Sequence, residues 1–417
     1  MQPGIASVRV LVLAAVSLAV AHPRETTGSV AAADTDGPGE LSDVAPATAI
    51  GDSDAALRLA ATLRAKARFA EAEEMYRSAL TMRQTEPEPS PVRIASALYG
   101  LALLDRDTGR FAEAERLARR ALDDGIDQAS ALDLIGTVVR SQGRLREARS
   151  LLQRALEAAQ GSPGASGQTL AGILIDLGNA ERLVGNLTDA QAHLSRAAEL
   201  LKGARAKVTL AIALDGLAEV ARARGDLKRA RQTCEQASSL LRAAVGTDHP
   251  DYAVSLATLA AVYADVHNAR KARELFLEVL RIDERTLGPA HPRVGFDLDN
   301  LGVTSARLHD NASAESYLRR ALTVQSNPMQ SAFWRANLAG LYAREGKRVE
   351  ALELYRDATA VLRDAHAPGL RVAEILEEYA ALLRRAGSFA EAEDAQTRAM
   401  HIRVRHAVAN QDGSDRT

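Results

Sequence analysis

The residues of this chain best suited to chemistry are nine histidines, one cysteine and a large population of arginines and carboxylates. Covalent or acid–base catalysis needs a nucleophile, a base and a polarising group at defined spacing, and no such set is visible. The sequence carries no P-loop, no GxGxxG, no HExxH and no CxxC. Gly164-Ala165-Ser166-Gly167 lacks the spacing of GxSxG. His249 and His291 each precede a proline, 42 residues apart. Two imidazoles fall short of a metal site, and a His-Pro turn that ends one segment and starts the next explains them better. Cys234 stands alone, so no internal disulfide forms, and its apolar register makes it a core thiol. Asn186-Leu187-Thr188 and Asn311-Ala312-Ser313 are sequons, yet asparagine is also a good turn residue. The expectation is a chain without catalytic residues, cofactor, metal or small-molecule substrate.

What stands out is periodicity. Gly109-Arg110-Phe111-Ala112-Glu113-Ala114 continues to Ala121, and the phrase recurs. The marker alanines are Ala72, Ala114, Ala148, Ala190, Ala230, Ala272, Ala314, Ala351 and Ala392, most often 42 residues apart. Seven residues after each lies another small or medium apolar side chain, from Ala79 to Ala399. Residues i and i+7 share one helical face, and alanine there lets a second helix come close. Five residues before the marker sits a tight-turn residue: Gly109, Gly143, Gly185, Gly225, Gly346 and Gly387, replaced by Ala67, His267 and His309 in three units. Upstream of each turn is a second run with a Leu-Ala or Leu-Gly type pair, such as Leu177-Gly178. Each unit is therefore helix, turn, helix, and the repeat decides the architecture.

The pattern resembles the tetratricopeptide repeat, over residues 53 to 405 in nine copies. The long period and the turns Val245-Gly246-Thr247-Asp248-His249-Pro250 and Leu287-Gly288-Pro289-Ala290-His291-Pro292 are similar to those of kinesin light chain. The linkers at 161–166, Asn327-Pro328 and Pro368-Gly369 depart from that turn. The resemblance implies an all-α, right-handed superhelical solenoid whose ligands lie along the inner face of the first helices. With the turn residue counted as position 15, the inward positions include 2, 5, 9, 12 and 13. Position 12 reads Arg64, Arg106, Arg140, Arg182 and Arg222, then Ala264, Ala306 and Ala343, and returns to Arg384. Arginine forks bind carboxylates bidentately, so this column suits an extended acidic partner. Asp133 and Asp215 at position 5 and Glu219 at position 9 are placed to neutralise it instead. Farther along, Asn300 and Asn337 at position 6 and Phe296 and Phe333 at position 2 suit a peptide backbone. The carboxylate clamp of some family members does not carry over. Asn179 matches one of its asparagines, but Gly216 stands where the second belongs. Motor association is not implied either, because no heptad coiled coil precedes the repeats.

Composition agrees with this reading. Aromatics make up 4% and the hydrophobic class 47% of 417 residues, as fits a solenoid that buries small side chains. A formal charge of −2 argues against nucleic acid as a partner. Residues 1–21 read as a signal peptide: Arg9, an apolar run from Val10 to Ala21, and an Ala19-Val20-Ala21 cleavage site before His22. The run is too short to span a bilayer. Residues 22–52 read as a disordered acidic linker, 53–406 as the solenoid, with Ser53-Asp54 as its first cap, and 407–417 as a disordered polar tail. The function expected is an exported, non-catalytic scaffold holding a protein or peptide partner, of acidic character, in a concave groove. The alternative is a membrane-tethered assembly factor for a cell-envelope or secretion complex that keeps the N-terminal segment.

Overall fold

The computed structural model describes residues 52–203, 206–324, 326–363 and 370–414, with side chains through residue 405. The expected signal peptide and nearly all of the linker lie outside the described residues. The described residues hold eighteen helices, paired as nine hairpins, and no strand. The pairs are α1 (Ser53–Ala65) with α2 (Phe69–Gln84), α3 (Pro91–Asp107) with α4 (Phe111–Asp123), and α5 (Gln128–Ser141) with α6 (Leu145–Gly161). They continue as α7 (Gly167–Val184) with α8 (Leu187–Leu200), α9 (Lys207–Ala223) with α10 (Leu227–Val245), and α11 (Pro250–Asp265) with α12 (Ala269–Leu287). The last three are α13 (Pro292–Arg307) with α14 (Asn311–Ala321), α15 (Pro328–Glu345) with α16 (Arg348–Arg363), and α17 (Leu370–Arg385) with α18 (Phe389–Ser414). The final helix extends past the expected end near His406.

Contacts divide the chain into two compact units, one ending at Thr258 and one beginning at Leu259. The same packing unit builds both. The side chain four residues after the marker points into the first helix of its own hairpin, where position 8 is small. A Cβ added at Gly136 would sit 2.7 Å from Leu152 Cγ, and one added at Gly178 would sit 2.7 Å from Leu194 Cγ. Gly302 meets Leu318 in the same way. Leu152, Leu194 and Leu318 are fully buried, and each such knob contributes roughly 2 kcal/mol by burial. Cys234 fills the same slot in α10, and burial pushes its thiol well above the usual range.

Every turn inside a hairpin closes with a residue of positive φ. The glycines there lie between +78° and +96°. Ala67 (57°), His267 (60°) and His309 (61°) adopt the same conformation without being glycine. The backbone bond of a Schellman turn holds each of them, as between Asp310 N–H and the Ser305 carbonyl at 3.0 Å. The first cap differs from the expected Ser53-Asp54. Asp52 is the cap and accepts from the Asp54 and Ala55 amides, while the Ser53 hydroxyl is drawn inward to accept from Arg83 Nε at 3.2 Å. His249 and His291 act as caps too, each Nδ1 accepting from the amide two residues on, at 3.1 and 3.2 Å. His249 is thereby fixed as the Nε2–H tautomer, which donates to the Ala65 carbonyl at 3.0 Å.

Two substitutions test this packing. His309→Gly relieves a left-handed residue and should raise stability by about 0.5–1 kcal/mol in a denaturant melt. Gly295→Ala drives a Cβ into the ring of buried Trp334 and should lower stability by about 1–3 kcal/mol. Either change with the opposite sign would contradict the geometry.

Candidate functional site

In the unit ending at Thr258 the position-12 arginines do come together, but as a buried and internally paired column. Arg64, Arg106 and Arg140 are each less than a tenth exposed. Each finds an acid, mostly from the next repeat. Arg64 Nη1 donates to Asp107 Oδ2 at 2.7 Å, and Arg106 donates to the other Asp107 oxygen at 2.9 Å. Arg140 lies 3.6 Å from Asp176, and Arg182 lies 3.5 Å from Glu219, which also pairs with Arg222 at 3.1 Å. Burial works against charge on Arg64, yet Asp107 beside it holds its pKa above the usual range. Burial pulls Arg140 and Arg182 down, because their acids stand farther off. Glu219 stays below the usual carboxylate range despite burial, owing to Arg222 and Arg182. Glu219 therefore does neutralise Arg222. Arg140 is matched by Asp176 rather than by Asp133, and Asp215 accepts from Ser255 at 2.9 Å.

A second ionic register lies at the outer edge and was not anticipated. The glutamate after a marker meets the cation after the next turn: Glu73 with Arg110 (3.0 Å), Glu115 with Arg144 (2.8 Å) and Glu315 with Lys347 (3.2 Å). These pairs are half exposed, so each contributes at most about 1 kcal/mol. The signal was readable as an acid and a base one residue past two marks already identified.

The unit beginning at Leu259 is different. Positions 2, 6, 9 and 13 of its first helices lie on one helical face, and that face opens progressively. On α13 it carries Phe296 and Asn300, both buried, then Val303 and Arg307, half-buried. On α15 it carries Phe333, Asn337 and Gly340, half-buried, and Arg344, exposed. On α17 it carries Glu374 and Glu378, half-buried, then Ala381 and Arg385, exposed. Equivalent residues on α5 and α7, such as Leu134, Thr137, Asp176 and Asn179, are buried. The last three repeats thus carry an arginine at position 13 (Arg307, Arg344 and Arg385), a residue and about 100° around the helix from position 12, where only the ninth repeat keeps one, the exposed Arg384.

A polar chain crosses these three helices. Asn337 Nδ2 donates to both Asp299 oxygens at 2.8 and 3.0 Å, and Arg371 Nη2 donates to Asn337 Oδ1 at 2.7 Å. The amide of Asn337 is held in one orientation as a result. Phe296 is buried and packs edge-on against Trp334, with centroids 5.5 Å apart and planes at 84°. Of the four residues expected on this side, Phe333 and Asn337 reach the open face, while Phe296 and Asn300 lie beneath it. Behind them Arg293 pairs with Asp283 at 2.8 Å, and burial pushes Asp297 well above the usual range. Among the described residues no group of three or more His, Cys, Asp or Glu side chains is arranged to hold a metal.

The two arginine sets should respond differently to truncation. Arg64→Ala leaves Asp107 short of a buried partner and should cost about 3 kcal/mol. Arg344→Ala should cost less than about 0.5 kcal/mol. Equal losses in denaturant melts would contradict the assignment. Asp299 supplies a pH test. Burial pushes its carboxyl up to about 7, with the Asn337 amide and Arg371 pulling the other way. Its folded pKa exceeds the unfolded value, so its contribution is present below about pH 4 and is lost as pH rises through about 7. Asp299→Asn should reduce the fall in denaturation midpoint between pH 5 and pH 8, and an unchanged fall would contradict this.

The model of the tetratricopeptide repeat matches residues 52–124, 127–203, 209–284 and 257–327, together more than half of the chain. No curated protein matches the sequence. Among solved structures, a Rap protein complexed with competence and sporulation factor is similar at a TM-score of 0.62 and 12% identity, over 85% of this chain and 98% of that one. The apo form of RapI is similar at a TM-score of 0.50 and 13% identity, over the same shares. A kinesin light chain protein of Podosopora anserina with nearly identical repeats is 22% identical over 46% of this chain and 95% of its own, at a TM-score of 0.39. With the repeat model matching more than half of the chain and nine marked hairpins in place, the chain belongs to the tetratricopeptide repeat family.

Proposed function

We propose that this repeat protein is a non-catalytic scaffold that holds an extended, acidic segment of a partner protein along the open face of α15 and α17, and that it works after export. The observation that carries the reading is the change in exposure at positions 6 and 9, buried in repeats two to six and half-buried to exposed in the last two. Phe333 offers an apolar contact. Asn337 offers an amide fixed by Asp299 and Arg371. Gly340 lowers the floor between them, where a Cβ would come within 3.3 Å of the Tyr355 hydroxyl. Arg307, Arg344 and Arg385 supply cations in three successive repeats, which favours carboxylates on the partner. The column from Arg64 to Arg222 supports this reading as an internal spine. Arg64 and Arg106 are hydrogen-bonded to buried Asp107 and Arg222 to buried Glu219, and freeing them for a ligand would leave those acids without these partners.

Photoreactive residues placed at 333 and 340 should crosslink a partner in cells, and one at exposed position 356 on α16 should not. Combining Phe333→Ala with Asn337→Ala should weaken capture at least ~10-fold. Equal crosslinking from 356, or capture unaffected by the double change, would contradict the site. Export rests on the leader at 1–21, and N-terminal sequencing of the cellular protein tests it. A start at His22 in a soluble exported fraction supports the reading. Met1 retained in the membrane fraction supports the tethered assembly factor instead. No helix among the described residues is long and apolar enough to cross a membrane.

A further inference from the structure

One arginine of the buried column lacks what its neighbours have. Arg64, Arg106 and Arg222 donate to their acids at 2.7, 2.9 and 3.1 Å. Arg140 is 6% exposed, and its acid, Asp176, lies 3.6 Å away, beyond hydrogen-bond length. Among the described residues no acceptor meets Arg140 Nε or Nη1. A guanidinium carries five N–H donors, and burying them unmet is costly. Proteins satisfy such groups with water or with an ion.

The charge around Arg140 favours an ion, and an anion. The five guanidiniums from Arg64 to Arg222 share three carboxylates, those of Asp107, Asp176 and Glu219. Two positive charges are left in excess. Asp133, on the face of α5 that carries Arg140, reduces the excess to one. Asp215 does not reduce it further, because it accepts from Ser255 and burial pushes its carboxyl well above the usual range. The other buried acids of this unit, Asp105, Glu181 and Asp251, lie against Arg110, Arg149 and His249. Burial pulls Arg140 down, and Arg106 adds to this. Arg182 is lowered by burial too, with Arg222 and Arg140 adding to it. An anion among these three repeats would answer both the surplus charge and the unmet donors.

We propose that a small oxyanion of the phosphate or sulfate class is held at Arg140, between Arg106 and Arg182, as a fixed component of the buried column. Guanidinium groups pair best with oxyanions, whose several oxygens accept from more than one arginine. A peptide would need an open face, and Arg106 and Arg140 are 9% and 6% exposed. The site rests on the column alone and is separate from the open face of α15 and α17.

Equilibrium dialysis of the full chain against inorganic phosphate tests this, with phosphate counted by ion chromatography after denaturation. Wild type should retain one phosphate per chain with a Kd of about 1 mM or below, and sulfate should displace it. Arg140→Lys keeps a charge beside Asp176 but loses the planar fork, and should bind at least ~10-fold more weakly with the same helicity. Arg356→Ala, at an exposed arginine of α16, should bind as wild type does. A stability readout is independent of each variant's baseline. Phosphate at ten times its Kd should raise the folding constant of wild type about 11-fold at fixed ionic strength, and that of Arg140→Lys about twofold or less. Wild type that retains no phosphate or sulfate overturns the proposal and leaves water as the partner of Arg140. Equal retention by Arg140→Lys, or loss in Arg356→Ala, overturns the site.

Discussion

Everything in this protein depends on one close approach, that of a bulky side chain on a second helix into a small residue at position 8 of its own first helix. Leu152 over Gly136, Leu194 over Gly178 and Leu318 over Gly302 leave no room for a Cβ. The hairpin angle follows from that contact, and the angle sets how the next hairpin stacks. Marker alanines on the second helix allow the approach from the other side, as Ala114 and Ala121 do with no exposed surface. Because each contact is local, the chain grows by repetition and needs no large central core.

Stacking of this kind forces polar residues together as well. Position 12 arginines in the first five repeats lie where the first helices crowd, and they persist there because Asp107, Asp176 and Glu219 arrive from neighbouring repeats. A buried pair contributes little net stability but is costly to break. Its value here is register: a repeat displaced along the stack would leave both an arginine and an acid unmatched. The same logic joins Asp299, Asn337 and Arg371 across three first helices. There the network lies under a face that solvent reaches, so one set of interactions both fixes the stack and orients Asn337 for contact.

The fold was legible from residue types alone. Small residues at i and i+7, a turn residue five before them and a small residue at position 8 state the hairpin directly. Even the three non-glycine turn residues, Ala67, His267 and His309, occupy the left-handed position that the alignment of repeats assigned them. The candidate site was legible only in part. Asn337 and Phe333 were identified, while Arg344 and Arg385, one residue from the column that attracted notice, were not. A shift from position 12 to 13 is a small change in a sequence and a change of face on a helix.

By itself the sequence determined the repeat, the hairpin, its turns and the alignment of arginines, because these follow from local sterics and helical periodicity. Only the tertiary structure decided which aligned positions face water. Exposure depends on how neighbouring first helices crowd one another, and that crowding is a sum over contacts between repeats. It buries Arg64, Arg106 and Arg140 with their acids, opens Phe333 and Asn337, and leaves Phe389 and Met400 exposed on the last helix.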